Sequence, residues 1–275
     1  MDYQNLINAL GQAACQLGVL PELAALRPQF QIHLYDELSS TNQTAWQLVE
    51  QGKGAGTVVI ARQQRAGKGQ WGRTWISPPG GLYLSLVLAP ALPLAQAQLL
   101  TLTSAWGIAT SLKNLGVSIQ IKWPNDLVSQ GRKVGGILTE SRMIEQSETG
   151  AHLQWVIIGV GLNWDNPLPQ NACSVRQLLP DGSIASVNTL EDLAAIALRG
   201  IWQGFHYWQQ QGDQRFIDAY QQKLACRGKK ISISGHPAVV EGVSINGDLL
   251  VNLSRDGGNL IRLLKPGEIR LGYNG

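Results

Sequence analysis

Val58-Val59-Ile60-Ala61-Arg62-Gln63-Gln64-Arg65-Ala66-Gly67-Lys68-Gly69-Gln70-Trp71-Gly72-Arg73-Thr74-Trp75 runs from an apolar strand into a loop that crowds three glycines together with Lys68 and Arg73. Glycine lets backbone N–H groups approach a ligand closely, and the two cations add the charge and donors that phosphate and carboxylate require. Gly67, Gly69 and Gly72 satisfy the spacing G-x-G-x-x-G, but the dinucleotide fingerprint needs a helix to open at the third glycine. Ser77-Pro78-Pro79-Gly80-Gly81 follows instead, a turn region, and then a second strand, Leu82-Tyr83-Leu84-Ser85-Leu86-Val87-Leu88. A plain hairpin loop with a solvated charge pair would have the same composition.

Outward from this segment the chain mixes helices and strands. Residues 1 to about 26 read as a short amphipathic helix pair broken at Gly18 and Pro21, followed by a strand over Phe30–Tyr35. Ser40 with Gln43 matches a capping box, and the helix it opens stops at Gly52. Ala95 to Leu115 has the apolar spacing of a long helix closed by Gly116. Ile119–Trp123, Lys133–Glu140 and Trp155–Leu162 read as strands of one sheet, and Leu190 to about Ala225 as a second helical block. From Lys229 onward short strands predominate, Ile231–Ser234, Ala238–Ile245, Leu249–Leu253 and Leu260–Leu264, with hairpin turns at Asn246-Gly247 and Asp256-Gly257. That block predicts a small barrel.

Composition narrows the function classes. With 275 residues, 44% apolar and 15% charged, the chain can bury a large core and divides into a main domain and a smaller one. A net charge of +3 with scattered Lys and Arg gives no electrostatic case for a nucleic-acid or membrane surface. Cys15, Cys173 and Cys226 are far apart and form no C-x-x-C pair, which points to a reducing compartment and away from a zinc site. No apolar run reaches the roughly 18 to 20 residues of a membrane span, and Asp2 with no early cation is unlike a signal peptide. A cytoplasmic location is expected.

A second constellation is Lys122-Trp123-Pro124-Asn125-Asp126-Leu127 followed by Arg132-Lys133-Val134-Gly135-Gly136-Ile137-Leu138. Pro124 ends the strand, so Asn125 and Asp126 are expected in a turn, where a carboxylate can meet a metal ion or a ligand. Lys133 opens the next strand, and a β-hairpin then places it near Asp126. A surface hairpin with one weak ion pair is the plain alternative.

In order, Ser39-Ser40-Thr41-Asn42, Gln64–Trp75, Lys122–Asp126, Arg132–Leu138 and Gly159-Val160-Gly161-Leu162-Asn163 resemble the five motifs of the biotin protein ligase family. The match covers roughly residues 35 to 165. The resemblance implies an α+β fold: a catalytic domain like that of class II aminoacyl-tRNA synthetases, a mixed sheet with helices, plus a small C-terminal SH3-like β-barrel. The domain division expected is 1–28 for an N-terminal helical segment, 29–226 for the catalytic domain and 227–275 for the barrel.

The activity that the resemblance implies joins the carboxylate of biotin to the α-phosphate of ATP, then passes the biotinyl group to a lysine of the biotin carboxyl carrier protein of acetyl-CoA carboxylase. Two anions must be brought together, so cations and backbone dipoles have to stand where charge develops. Carried onto this chain, the catalytic residues would be Lys133, Asp126 and Arg73. Biotin would be held by Ser40, Thr41, Asn42, Gln64, Lys68, Gly69, Gln70, Lys133 and Gly136. The adenylate would meet Gly67, Lys68, Gly69, Gln70, Gly72, Arg73, Trp75, Lys122, Asn125, Asp126, Lys133 and Asn163. Asp126 would assist Mg²⁺. ATP, Mg²⁺ and biotin are then substrates with their metal, no tightly bound prosthetic group is expected, and the protein would be a monomer or homodimer.

The neutral ureido ring of biotin calls for hydroxyl and amide partners, and Ser40, Thr41, Asn42 and Gln64 are of that kind. Ser40 can also serve as a helix N-cap. Trp75 and Trp123 could wall the ligand, although most of the nine Trp should be core. Lys68 and Gln70 depart from the family loop, where arginines are usual; Lys68 keeps the charge without the bidentate fork, and Gln70 loses the charge. Only about 28 residues precede the first strand, which is too few for the DNA-binding domain that some members carry. The short, purely enzymatic type is therefore expected. The alternatives are a lipoate or octanoate ligase of the same fold and a biotin sensor without turnover; lipoate lacks the ureido group and would leave polar groups unpaired at about 1–3 kcal/mol each.

Overall fold

The computed structural model describes residues 1–147, 150–180, 187–255, 258–269 and 271–272. The elements in order are α1 (Tyr3–Leu10), β1 (Gln31–Leu38), α2 (Thr41–Glu50), β2 (Thr57–Gln64), β3 (Leu82–Leu88) and α3 (Ala97–Asn114). They continue with β4 (Gln120–Lys122), β5 (Asp126–Ser129), β6 (Arg132–Ser147), β7 (Gly150–Leu162), α4 (Leu190–Gln221), β8 (Lys230–Ile233), β9 (His236–Val243), β10 (Leu249–Arg255) and β11 (Gly258–Leu264).

Seven strands make one mixed sheet in the order β1-β2-β3-β7-β6-β5-β4. Only β1 and β2 run parallel, and every other pair is antiparallel. The expected single sheet for the strands at 119–162 is therefore found, within an α+β fold. The period of two along each strand sets the layers. Leu84 and Leu86 of β3, Ile158 and Val160 of β7 and Val58 and Ile60 of β2 join the large core with α3 and α4. The alternate residues Val59, Val87 and Ile157 face Ala45 and Leu48 of α2. Because helices cover both faces, β2 and β3 read as continuous apolar runs. Residues Leu99 to Leu112 of α3 are all buried, as expected of a helix apolar all round.

The C-terminal strands form a second, antiparallel sheet in the order β11-β10-β9-β8, a small β domain as expected. Ser244–Asp248 turns at Asn246-Gly247, with Gly247 at φ 87°. The expected turn at Asp256-Gly257 lies outside the described residues.

Four local expectations need correction. The N-terminal helix pair is one helix, α1, followed by two 3-10 turns at Ala14–Leu17 and Pro21–Leu23, since Gly18 at φ 65° and Pro21 leave too little chain for a second helix. Ser40 caps α2 by position, but its side chain makes no cap bond; Gln64 Oε1 accepts from Thr41 N at 2.8 Å instead. Asp126 does not sit in a loose turn but opens β5 and pairs with Lys122 of β4. The Leu190 block, kinked at Gly212 (φ 77°, ψ 173°), ends at Gln221 rather than near Ala225.

Candidate active site

The glycine-rich segment is itself a hairpin. Gln64 pairs with Ser77 and Lys68 with Thr74, while Gly69 N donates to Arg73 O at 2.7 Å and Trp75 N to Gly67 O at 2.8 Å. Its tip is a single turn over Gln70–Gly72, in which Trp71 takes a left-handed φ of 59°. Arg65 N and Ala66 N donate to Leu38 O and Ser39 O, which fixes the hairpin base beside the start of α2.

A pocket opens beneath this hairpin, on the α2 side of the sheet. It is lined by Ser40, Thr41, Asn42, Gln64, Lys68, Gly69, Gln70, Arg73, Trp75, Asn125, Asp126, Lys133 and Gly136, thus by most of the residues expected from sequence. The alternation of β7 explains the room. Val160 points into the core, so Gly159 and Gly161 face the pocket. A Cβ at Gly159 would stand 2.3 Å from Asn42 Oδ1, and one at Gly161 2.5 Å from the Trp75 ring. Glycine is required at both places for close approach.

One wall is neutral and polar. Gln64 Nε2 donates to Ser77 Oγ at 2.8 Å, and Ser77 Oγ donates to Trp75 O at 2.9 Å. Ser85 donates to Asn42 Oδ1 at 2.6 Å and lies 2.8 Å from Thr41 Oγ1. Asn42 Nδ2 donates to Glu140 Oε2 at 2.9 Å. Each end of the Asn42 amide thus has one partner, which fixes its orientation and leaves one N–H and one lone pair over. Ser77, Ser85 and Glu140 were not anticipated. A signal for Ser85 existed in the small hydroxyl residue within the otherwise large and mostly apolar run Leu82–Leu88, since a polar group in a buried strand requires a partner.

The other wall is charged. The β5–β6 hairpin, closed by Gln130 and Gly131 at positive φ, places Lys133 Nζ 2.7 Å from Asp126 Oδ1. Lys133 Nζ also lies 5.0 Å from the centre of the Trp75 ring. Asn125 Nδ2 donates to Ile137 O at 2.8 Å and ties this wall to β6. Lys122 borders an adjoining cavity with Gln70, Trp71, Arg73, Asn125 and Asp126. Burial pushes the Lys122 ammonium below the usual lysine range, Asp126 opposes this, and Lys133 and Arg73 reinforce it. Four cations, Lys68, Arg73, Lys122 and Lys133, surround the one carboxylate of the described lining, Asp126. An incoming anion is favoured by that balance.

Three expected residues stand outside the lining. Gly67 lies under the hairpin, where a Cβ would meet Trp75 O at 2.4 Å, and Gly72 occupies the exposed tip. Asn163 is buried; its amide donates to Lys133 O at 3.3 Å and Cys173 O at 3.2 Å, so it holds the backbone of Lys133 rather than facing the pocket. Trp123 is largely buried, with Nε1 donating to Gly247 O at 2.9 Å, and it borders the adjoining cavity beside Lys122. Among the described residues no group of three His, Cys, Asp or Glu side chains could hold a metal.

A mixed-sheet α+β domain with a pocket polar at one end and cationic at the other is the class that fold and site define. Residues 34–163 match the model of the Biotin/lipoate A/B protein ligase family. The chain is 31% identical over 241 residues to the bifunctional ligase/repressor BirA of Escherichia coli (strain K12), covering 85% of this chain and 72% of that one. It is 40% identical over 131 residues to the bifunctional ligase/repressor BirA of Bacillus subtilis (strain 168), covering 47% of this chain and 39% of that one. With the biotin--[acetyl-CoA-carboxylase] ligase of Paracoccus denitrificans it shares 41% identity over 130 residues, 45% of this chain and 50% of the relative. The last two matches span half or less of the relatives' length. The chain belongs to the biotin/lipoate A/B protein ligase family. The fold is shared with biotin protein ligase from Aquifex aeolicus in complex with biotin and ATP, at a TM-score of 0.61 and 23% identity over 85% of this chain and 99% of that one. No helix among the described residues is long and apolar enough to cross a membrane.

Proposed function

We propose that the protein is a biotin protein ligase, which activates biotin with ATP to biotinyl-5′-AMP and transfers the biotinyl group to a lysine of a biotin carboxyl carrier protein. The observation that carries this reading is the Lys133–Asp126 pair at 2.7 Å, set between a neutral hydroxyl-amide wall and a glycine hairpin bearing Lys68 and Arg73. The neutral wall, Ser40, Thr41 and Gln64, matches a ureido group, which offers one acceptor and two donors and no charge. The carboxylate tail then points at Lys133. The hairpin amides of Gly67–Gly72 with Lys68, Gln70, Arg73, Lys122 and Asn125 suit the phosphates.

In the reaction a carboxylate oxygen of biotin attacks the α-phosphorus of ATP, a P–O bond forms, and the bond to the β-phosphate bridging oxygen breaks to release pyrophosphate. Lys133 sits where both anions converge and lowers their repulsion most in the transition state, where negative charge is shared between them. Asp126 positions the Lys133 ammonium, and its carboxylate would help hold a Mg²⁺ brought by ATP. The Trp75 Nε1–H has no acceptor among the described residues, and a ligand oxygen would supply one. In the second step the acceptor amine attacks the mixed anhydride and AMP leaves.

Domain limits at 28/29 and 226/227 accord with the first strand at Gln31 and the second sheet starting at Lys230. Pyrophosphate exchange into ATP, with biotin, lipoate or octanoate as the acid, tests the proposal. Exchange driven by biotin alone supports it; exchange driven by lipoate or octanoate, or by none, overturns it.

A further inference from the structure

Arg199 of α4 is 6% exposed as a residue, its guanidinium lines a cleft, and among the described residues it makes no ion pair or hydrogen bond. Its nitrogens face an open cleft, where an anion can reach them, and a charge this shielded from bulk water gains from a counter-charge. The group borders a second cavity of about 230 Å³, which shares no residue with the pocket under the glycine hairpin. Ile7, Leu10 and Phe30 give this cavity an apolar side, and Arg27 gives it a second guanidinium. Arg27 is held in place by donating from Nη1 to Ala24 O and, at 3.0 Å, to Leu26 O. No carboxylate is among the described residues that line it. Burial first, and then Arg27, pushes the Arg199 guanidinium below its usual range, so both effects would be relieved by an anion.

We propose that the cleft between α1, the segment Arg27–Phe30 and α4 is a binding site for a small carboxylate with a short aliphatic tail, its oxygens on Arg199 and Arg27 and its tail against Ile7, Leu10 and Phe30. Two guanidinium forks suit the planar, bidentate geometry of a carboxylate. The volume lies below the roughly 300 Å³ at which sites for larger ligands begin, so the occupant is small. The apolar side distinguishes it from a site for a bare inorganic oxyanion. The inference is independent of the reaction proposed above.

Thermal unfolding of the full chain at constant ionic strength, titrated with hexanoate, hexanol or inorganic phosphate, tests this site. Hexanoate is expected to raise the Tm saturably by a few degrees, with hexanol and phosphate far weaker. Arg199→Met should abolish the hexanoate response while leaving the Tm without added anion unchanged or higher, because Met keeps much of the side-chain length and removes a charge that has no ion pair among the described residues. Arg199→Lys should weaken the apparent Kd about tenfold by loss of the fork, and Arg27→Ala should weaken it as well, so the proposal stays testable if the Met variant does not fold. An equal response to hexanol, a response kept in both Arg199 variants, a preference for phosphate, or no response at all would each overturn it.

Discussion

The indole of Trp71, at the tip of the glycine-rich hairpin, rests on the backbone of Gly267 beyond the second sheet: a Cβ built on Gly267 would stand 2.9 Å from Trp71 Cζ2. Gly267 has φ 100°, and Trp71 itself is left-handed at φ 59° although 65% of it is exposed. The C-terminal segment thus carries a seat for the hairpin that covers the pocket. Trp71→Ala should free the hairpin and speed dissociation of biotinyl-5′-AMP several-fold, with little effect on global stability. Gly267→Ala should act in the same direction, since it introduces both a clash and an unfavourable φ. Release of labelled adenylate measures both, and unchanged rates would mean the contact does not hold the loop.

Lys133→Ala should reduce biotin-dependent pyrophosphate exchange to background while the protein remains folded. It leaves Asp126, 8% exposed, without its 2.7 Å partner, so a stability loss of roughly 1–3 kcal/mol is expected alongside. Lys133→Arg should restore stability more than activity, because the charge returns with a different shape. Near-normal exchange in Lys133→Ala would remove the residue from the mechanism.

Gly159→Ala should damage biotin binding through Asn42. The added methyl would stand 2.3 Å from Asn42 Oδ1, which accepts from Ser85, and Ser85 in turn meets Thr41 beside Gln64. Overpacking of this kind costs roughly 1–3 kcal/mol of stability. Titration calorimetry with biotin, together with urea unfolding, checks it; wild-type affinity would show that the network is not part of the binding wall.

Stability should rise with pH between about 8 and the ordinary lysine value in a way that depends on Lys223. Burial first, and then Lys113, lowers the Lys223 ammonium to about 8. In that window the unfolded chain binds the proton and the folded chain does not, so folding gains as pH increases. Below about 8 the folded state carries the cost of a charged, half-buried amine. Lys223→Met should flatten this part of the pH–stability curve; an unchanged slope would exclude the residue as its source.

The site motifs were readable because their chemistry is written in composition. Glycines beside cations, a hydroxyl-amide run at a helix start and a lysine a hairpin away from an aspartate each carry a local physical meaning. The β5–β6 hairpin expected from the spacing of Asp126 and Lys133 forms as an ion pair. The layers were legible too, since alternation in β3 and β7 and the apolar α3 demand cover on both faces. Less legible were the short β5, whose four residues give too weak a period, and the capping of α2, which Gln64 supplies from another strand.

Sequence alone thus determined the strands, the long helices and the residue types of the pocket, because those follow from spacing along a short stretch of chain. Contacts between distant segments were decided by the folded chain. Gly159 makes room for Asn42, Asn163 holds the backbone of Lys133, Gly267 seats Trp71, and Arg199 is brought beside Arg27 in one cleft. Each joins residues far apart in the chain, and the physical reason is the same: a side chain's neighbours are set by which sheet face and which loop the packing brings to it, and no local period encodes that.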